Sequence, residues 1–289
     1  MGARLHSSRG PLLRRNNRLT CCAMNKIFPF IKRKPTVAVI RLQGMIATGS
    51  NPGRLNDASL APLVEMAFRR GKPKAVALVI NSPGGSPVQS ALIAARIRRL
   101  ADEVKIPVHA FVEDVAASGG YWLATAADDI HVDGNSIVGS IGVISAGFGL
   151  HELLNRYGVE RRVYTSGKSK SQLDPFSPEN PEDVARLRGL QDQVHQNFIA
   201  QVTERRGAKL VEDDSLFTGE FWLGGRAVEL GLADGLGHLV PMMQNRYGEK
   251  VRFRTYGMRR PFLSRLGLSL LTDTMALAEE RALYARFGV

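Results

Sequence analysis

The sequence predicts an α/β protein built from repeated βαβ units, with helices on the faces of a largely parallel sheet. Three observations carry that prediction. Residues 75–80, AVALVI, are an unbroken apolar run of strand length, the pattern of a strand buried on both faces. A second such run, IPVHAFV at 106–112, follows it, and each run is followed by a glycine-rich turn, NSPGG at 81–85 and AASGG at 116–120. Beyond each turn the pattern is helical, so strand, glycine turn and helix occur twice in succession.

Taken in order, TVAVIRL at 36–42 predicts the first strand and GSNPG at 49–53 a loop. Leu60, Leu63, Val64 and Phe68 recur at helical spacing and predict a helix over 57–71 that ends at Gly71. Val88, Leu92, Ile93, Ile97 and Leu100 set an apolar stripe on a second helix. The strand over 106–112 is expected to break at Glu113-Asp114, and YWLATAAD at 121–128 is the helix beyond it. A short strand is expected over 128–133, then a glycine-rich, β-branched stretch over 136–149 where backbone passes close to another chain or a ligand. A short helix over 151–158 and a strand over 160–167 come next. Val184, Leu187, Leu190, Val194, Phe198 and Val202 predict a long amphipathic helix over 182–206. Residues 215–239 predict a turn, a helix across 227–231 and another tight turn, and 263–287 a last amphipathic helix with a packing or assembly role.

A chain of 289 residues with 44% hydrophobic content can fill a sizeable core. The net charge of +12 is unevenly placed: residues 1–56 hold eleven Lys and Arg and no Asp or Glu, whereas 57–249 have a net charge of −4. The body therefore offers no basic groove, and no specific nucleic-acid partner is expected. The expected organisation is a basic arm over 1–35, one domain over 36–256, and a basic patch with an amphipathic helix over 257–289. The arm reads first as a solvated tail and second as a peripheral contact with an anionic membrane surface. No stretch approaches the roughly 18 consecutive apolar residues of a spanning helix, and LTCCAM at 19–24 is too short for the apolar region of a secretory signal. Met24 is an alternative start. Cys21 and Cys22 are adjacent, which supplies neither a disulfide framework nor metal-ligand spacing, so no metal is expected and the location reads as cytoplasmic.

The chemistry gathers at Ser118. A strand, a small-residue turn and a helix place its hydroxyl at a helix N-terminus, where amide N–H groups face outward and negative charge is favoured. A serine attacking a carbonyl needs such prearranged donors for the oxyanion it creates; the competing reading is an ordinary N-cap. If the two glycine turns are neighbours at the carboxyl edge of the sheet, the N–H groups of Gly85 and Gly119 converge on one oxygen. The attacking hydroxyl also needs a base. None of His6, His109, His131, His151, His195 and His238 has a setting that recommends it. Lys168 and Lys170, in TSGKSKSQLDPF, are the alternatives if burial keeps one amine neutral, although position alone reads both as loop charges.

The ordered set NSPGG, VAASGGYW, GSIGVI at 139–144 and GKSK followed by Pro175-Phe176 resembles peptidase family S49, the signal peptide peptidase A and SohB-like branch of the ClpP/crotonase superfamily. The resemblance spans roughly residues 36–255. It implies a ClpP/crotonase-like fold and a peptidase working through a serine–lysine dyad and an acyl-enzyme. Position by position it makes Ser118 the nucleophile, Lys170 the general base, Gly85 and Gly119 the oxyanion donors, and Ser140 the hydroxyl that positions the lysine. It implies no cofactor, a peptide substrate such as signal-peptide remnants or membrane-associated peptides, and a homo-oligomeric ring in which dyad partners can come from adjacent subunits. The chain departs from the pattern at Ser171, where relatives commonly have Asp, and at Asp174-Pro175, where they have Ser-Pro. A crotonase-type acyl-CoA enzyme and a non-catalytic oligomeric scaffold are the alternatives.

Overall fold

The computed structural model describes residues 34–49, 54–167, 169–258, 278 and 281–288. Strand β1 (Thr36–Gln43) leads to helix α1 (Asp57–Arg69), β2 (Ala75–Ser82) to α2 (Pro87–Val104), and β3 (Val108–Ala117) to α3 (Gly119–Ala124). Then come β4 (Asp129–Val132), β5 (Ile137–Gly139), α4 (His151–Arg156), α5 (Pro181–Arg206) and β6 (Phe221–Leu223). The last elements are α6 (Gly224–Glu229), β7 (Gly235–Leu236), α7 (Leu239–Tyr247) and β8 (Arg252–Tyr256).

The sheet runs β6-β5-β3-β2-β1-β8, parallel except for the β5–β6 pair. β3 is shared: Val112 and the residues before it pair with β4, and Val115–Ala117 pair with β5. Alternation along the strands sorts the core into two faces. Ala38, Ile40 and Leu42 point to the side of α1 and α2, with Phe68, Ile93 and Ile97. Val37 and Val39 point to the other side, where Met243 of α7 packs. Burying each large apolar side chain contributes about 1.5–3 kcal/mol, so the two faces together hold the helices against the sheet.

Local signals set the helix ends. Asn56 Oδ1 accepts from the Ser59 N–H at 2.9 Å, Ser86 Oγ from Gln89 at 3.4 Å with Pro87 behind it, and Asn180 Oδ1 from Glu182 at 3.0 Å. Arg96 ties α2 to α1 by donating two bonds of 2.7 Å to Asp57.

Three expectations are corrected. β3 does not break at Glu113-Asp114 but continues to Ala117, because a register shift against β2 between Ile80 and Ser82 absorbs the irregularity and both carboxylates stay at the surface. They find partners there, Glu113 with Arg41 at 2.7 Å and Asp114 with Asn81 at 2.5 Å. Residues 160–167 form no strand: they are exposed, and among the described residues no strand pairs with them. Val88 and Leu92 are not part of the buried stripe of α2, being 64% and 47% exposed. Most of the C-terminal helix expected over 263–287 lies outside the described residues, as does the basic arm.

Asp129 joins the sheet to α7. Its carboxylate accepts from Arg246 at 2.7 Å, sits 2.8 Å from His109 Nδ1, and lies 3.4 Å from His131 Nε2. Burial pushes this carboxyl up, but the hydrogen bonds from His109, His131 and Arg246 outweigh it and hold Asp129 below the usual carboxylate range. A depressed carboxyl stabilises the fold above its unfolded pKa of about 3.9, and that contribution is lost as pH falls toward the folded value. Asp129→Asn is therefore expected to cost about 3 kcal/mol at neutral pH and to flatten the loss of stability below about pH 4, read by denaturant melts across pH.

Candidate active site

Ser118 stands between the end of β3 and the start of α3 with φ 51° and ψ −121°, a conformation that costs a non-glycine residue energy and has to be imposed by its surroundings. Its N–H donates to Gly139 O at 2.8 Å, and its carbonyl accepts from Trp122 at 3.0 Å. The backbone is thus gripped by β5 on one side and by its own helix on the other. Its side chain makes no capping bond to α3, so the N-cap reading of this hydroxyl fails. Ser118 is half-buried and lines a cavity of about 530 Å³ with Gly85, Gly119 and Ser140.

The two glycine turns are neighbours, since β2 and β3 are adjacent parallel strands ending at the same edge. Gly85 has φ 136°, and a Cβ there would stand 2.0 Å from Ile46 O, so only glycine lets the chain pass. Ile46 and Ser86 lock the turn in that place through Ile46 N–H to Gly84 O at 2.8 Å and Ser86 N–H to Ile46 O at 2.7 Å. At Gly119 a Cβ would meet Ser90 Oγ at 2.4 Å and lie 3.4 Å from Gly85 N, so the two glycine backbones approach each other closely beside the cavity. Neither N–H donates to a backbone acceptor among the described residues. A half-buried hydroxyl beside two uncommitted amide donors is an arrangement that can stabilise charge developing on a carbonyl oxygen.

Ser140 also has positive φ, 52°, and its N–H donates to Glu220 O at 2.6 Å. Sequence reasoning missed the support beneath it: His195 Nε2 donates to Ile141 O at 3.0 Å, so α5 holds the loop that carries Ser140. It also missed the floor, where Trp122 stacks on Phe198 with ring centroids 5.0 Å apart. The helical spacing that put Phe198 in the core was the available signal. None of the described residues lining the cavity is a histidine or a carboxylate. His109 is hydrogen-bonded to Asp129, His131 is buried 3.4 Å from the same carboxylate and stacks on Phe111, and His238 stands 3.3 Å from Asp133.

Lys170 is not brought to Ser118. It sits on an exposed turn, its N–H 3.2 Å from Gly167 O, and it is not among the residues lining the cavity. Lys168 lies outside the described residues. The turn is itself well held: Asp174 accepts from Arg161 at 2.9 Å, Arg161 lies 4.9 Å above the Phe176 ring, and Leu173 N–H reaches Asp183 at 3.3 Å. Large apolar residues elsewhere in the segment 143–164 are also exposed, Phe148 by 86% and Tyr164 by 90%.

The fold and this cavity define an α/β protein with a serine held at a strained strand-to-helix turn beside paired glycine amides. Residues 101–246 match the model of peptidase family S49, and the chain belongs to that family. It is 47% identical over 271 residues to a Brucella melitensis protein named Na(+)/H(+) antiporter NhaA, a match covering 88% of this chain and 37% of that protein. It is 29% identical to the putative protease slr0021 of Synechocystis, over 88% of this chain and 92% of that one. With the chloroplastic serine protease SPPA of Arabidopsis thaliana it shares 32% identity over 70% of this chain and 31% of that one. The chain thus spans little more than a third of the length of the first of these relatives. Among solved structures, a 1510-N membrane-bound stomatin-specific protease aligns over 79% of this chain and 99% of its own at 15% identity, with a TM-score of 0.48.

Proposed function

We propose that this chain is a serine peptidase in which Ser118 attacks a peptide carbonyl, the N–H groups of Gly85 and Gly119 receive the oxyanion, and Lys170 of a neighbouring copy takes the serine proton. Ser140 positions the amine. The leaving amine takes that proton back, and water then hydrolyses the acyl-enzyme by the reverse sequence. The observation that carries this reading is the conformation of Ser118: a strained, uncapped, half-buried serine facing a cavity beside two uncommitted amides. Membership of family S49 supports it independently.

The same reading includes a homo-oligomeric ring, because the lysine turn is exposed and large apolar residues such as Phe148 and Tyr164 are left uncovered among the described residues. An extended peptide runs along the loop over 142–149, which belongs to no strand and so leaves backbone groups to pair with it. Signal-peptide remnants and membrane-associated peptides are the proposed substrates, and the basic arm is the proposed peripheral membrane contact of an otherwise cytoplasmic protein. An acyl-CoA reaction at the same amides would call for a carboxylate or similar acid or base in the cavity, and the described lining residues include none. The match to the Brucella relative covers 37% of that protein, and among the described residues no helix is long and apolar enough to cross a membrane.

A fluorophosphonate probe tests the nucleophile without any assumption about substrate. The wild type is expected to gain one covalent adduct per chain, mapped by mass spectrometry to the peptide containing Ser118. Labelling that is absent, or equal in Ser118→Ala, overturns the assignment.

A further inference from the structure

Residues 281–288 return to the cavity from the far end of the chain. Leu283, Arg286 and Phe287 form part of its wall, alongside Ser118 and Gly119. The segment is firmly seated: Phe287 is 9% exposed and packs on Val115, Ala117 and Ile137, and its ring meets Phe221 edge-on at 5.1 Å. One turn earlier, the Tyr284 hydroxyl donates to Asn81 O at 2.8 Å, at the carboxyl end of β2. Arg286 lies between these two anchors, so its backbone is fixed while its side chain stays exposed.

One positive charge in this wall, that of Arg286, stands without an ion pair among the described residues. The charged residues lining the cavity are Arg54 and Arg286, with no described carboxylate among the rest. Arg54 is already engaged in an interaction of its own. Arg286 makes no ion pair among the described residues, although exposed arginines elsewhere on the domain, such as Arg41, Arg69 and Arg99, do so. A guanidinium held at the rim of a binding cavity, with its forked donors unused, matches a carboxylate.

We infer that Arg286 is a specificity-determining residue that selects peptides carrying a carboxylate near the bond to be cleaved, either an acidic side chain or a free chain end. The inference rests on the reading of the Ser118 cavity as the peptide site. It adds to the apolar walls a polar preference that opposes lysine-rich and arginine-rich peptides.

The test uses Ser118→Ala protein, so that peptide binds without turnover, and fluorescence anisotropy with three labelled peptides of one apolar sequence. The first carries an internal Glu and an amidated end, the second an internal Lys and an amidated end, and the third an internal Ala and a free carboxylate end. The Glu peptide is expected to bind about tenfold more tightly than the Lys peptide at low ionic strength, with the gap narrowing as salt is added. The Glu and free-end peptides identify which source of carboxylate is preferred. Adding Arg286→Glu is expected to reverse the order of Glu and Lys, and Arg286→Ala to bring the two to parity. No binding of any peptide, or an order unchanged by Arg286→Glu, overturns the inference. Hydrolysis of the Glu peptide by wild type and Ser118→Ala separates the two readings. Turnover untouched by Ser118→Ala sinks both, whereas turnover lost with the binding order unchanged sinks only the role of Arg286.

Discussion

Ser118→Ala is expected to lower kcat/KM for an apolar peptide by roughly four orders of magnitude or more, leaving KM nearly unchanged. The size of the effect follows from the division of labour in the cavity. Binding is spread over apolar walls such as Trp122, Phe198 and Ile144, none of which alanine at 118 disturbs. In the proposed mechanism bond making rests on one oxygen, and the described lining residues include no histidine or carboxylate that could activate water in its place. What remains is the polarising effect of Gly85 and Gly119, which acts on a carbonyl without supplying a nucleophile. Alanine also tolerates the local backbone no worse than serine does, since both carry a Cβ at φ 51°. Initial-rate kinetics at several peptide concentrations, with thermal melts of both proteins, check this. A fall of less than tenfold at unchanged stability would place the chemistry elsewhere.

The sheet was legible because its core strands are written redundantly. The apolar runs 75–80 and 37–40 each specify a strand without help from distant residues, and the glycine turns mark where the strands leading to the site stop. The pairing of Gly85 with Gly119 was also within reach, since two successive βαβ units bring consecutive glycine turns to one edge. α7 and β8 were not anticipated, and each has a physical reason. Pro241 early in α7 interrupts its helical pattern, and Arg252 and Arg254 give β8 the look of a basic patch when they are the outward residues of an edge strand. Residues 160–167 misled in the opposite direction: Val163 and Tyr164 suit a strand, but propensity without a neighbouring ladder does not make one. Of the site, the serine and its glycines could be read from local turn chemistry. The wall formed by Leu283, Arg286 and Phe287 could not, because its contact with Val115, Ala117 and Ile137 joins residues more than 140 positions apart, and no spacing rule encodes such a contact.

Lys170→Ala is expected to remove activity as fully as Ser118→Ala, and an equimolar mixture of the two inactive proteins is expected to recover about a quarter of the wild-type rate. The argument starts from where the lysine is. A lysine accepts a proton only as the neutral amine, which requires removal from water, yet Lys170 stands on an exposed turn and does not line the cavity. Bending that turn inward would break its hold, since Asp174 with Arg161 and Leu173 with Asp183 fix it outward against α5. In the proposed ring a second copy is expected to satisfy both needs, covering apolar residues exposed in one copy, such as Phe148 and Tyr164, and presenting its own Ser118 cavity to the lysine. In a closed ring each site then joins the serine of one subunit to the lysine of the next. Random mixing leaves an intact serine facing an intact lysine at about one junction in four, which is the expected recovery. If serine and lysine belong to the same subunit, every site in the mixture lacks one of them and nothing is recovered. Mixing under conditions where subunits exchange, with assembly followed by light scattering, separates these outcomes. Rings that form and exchange while remaining inactive would refute the shared site.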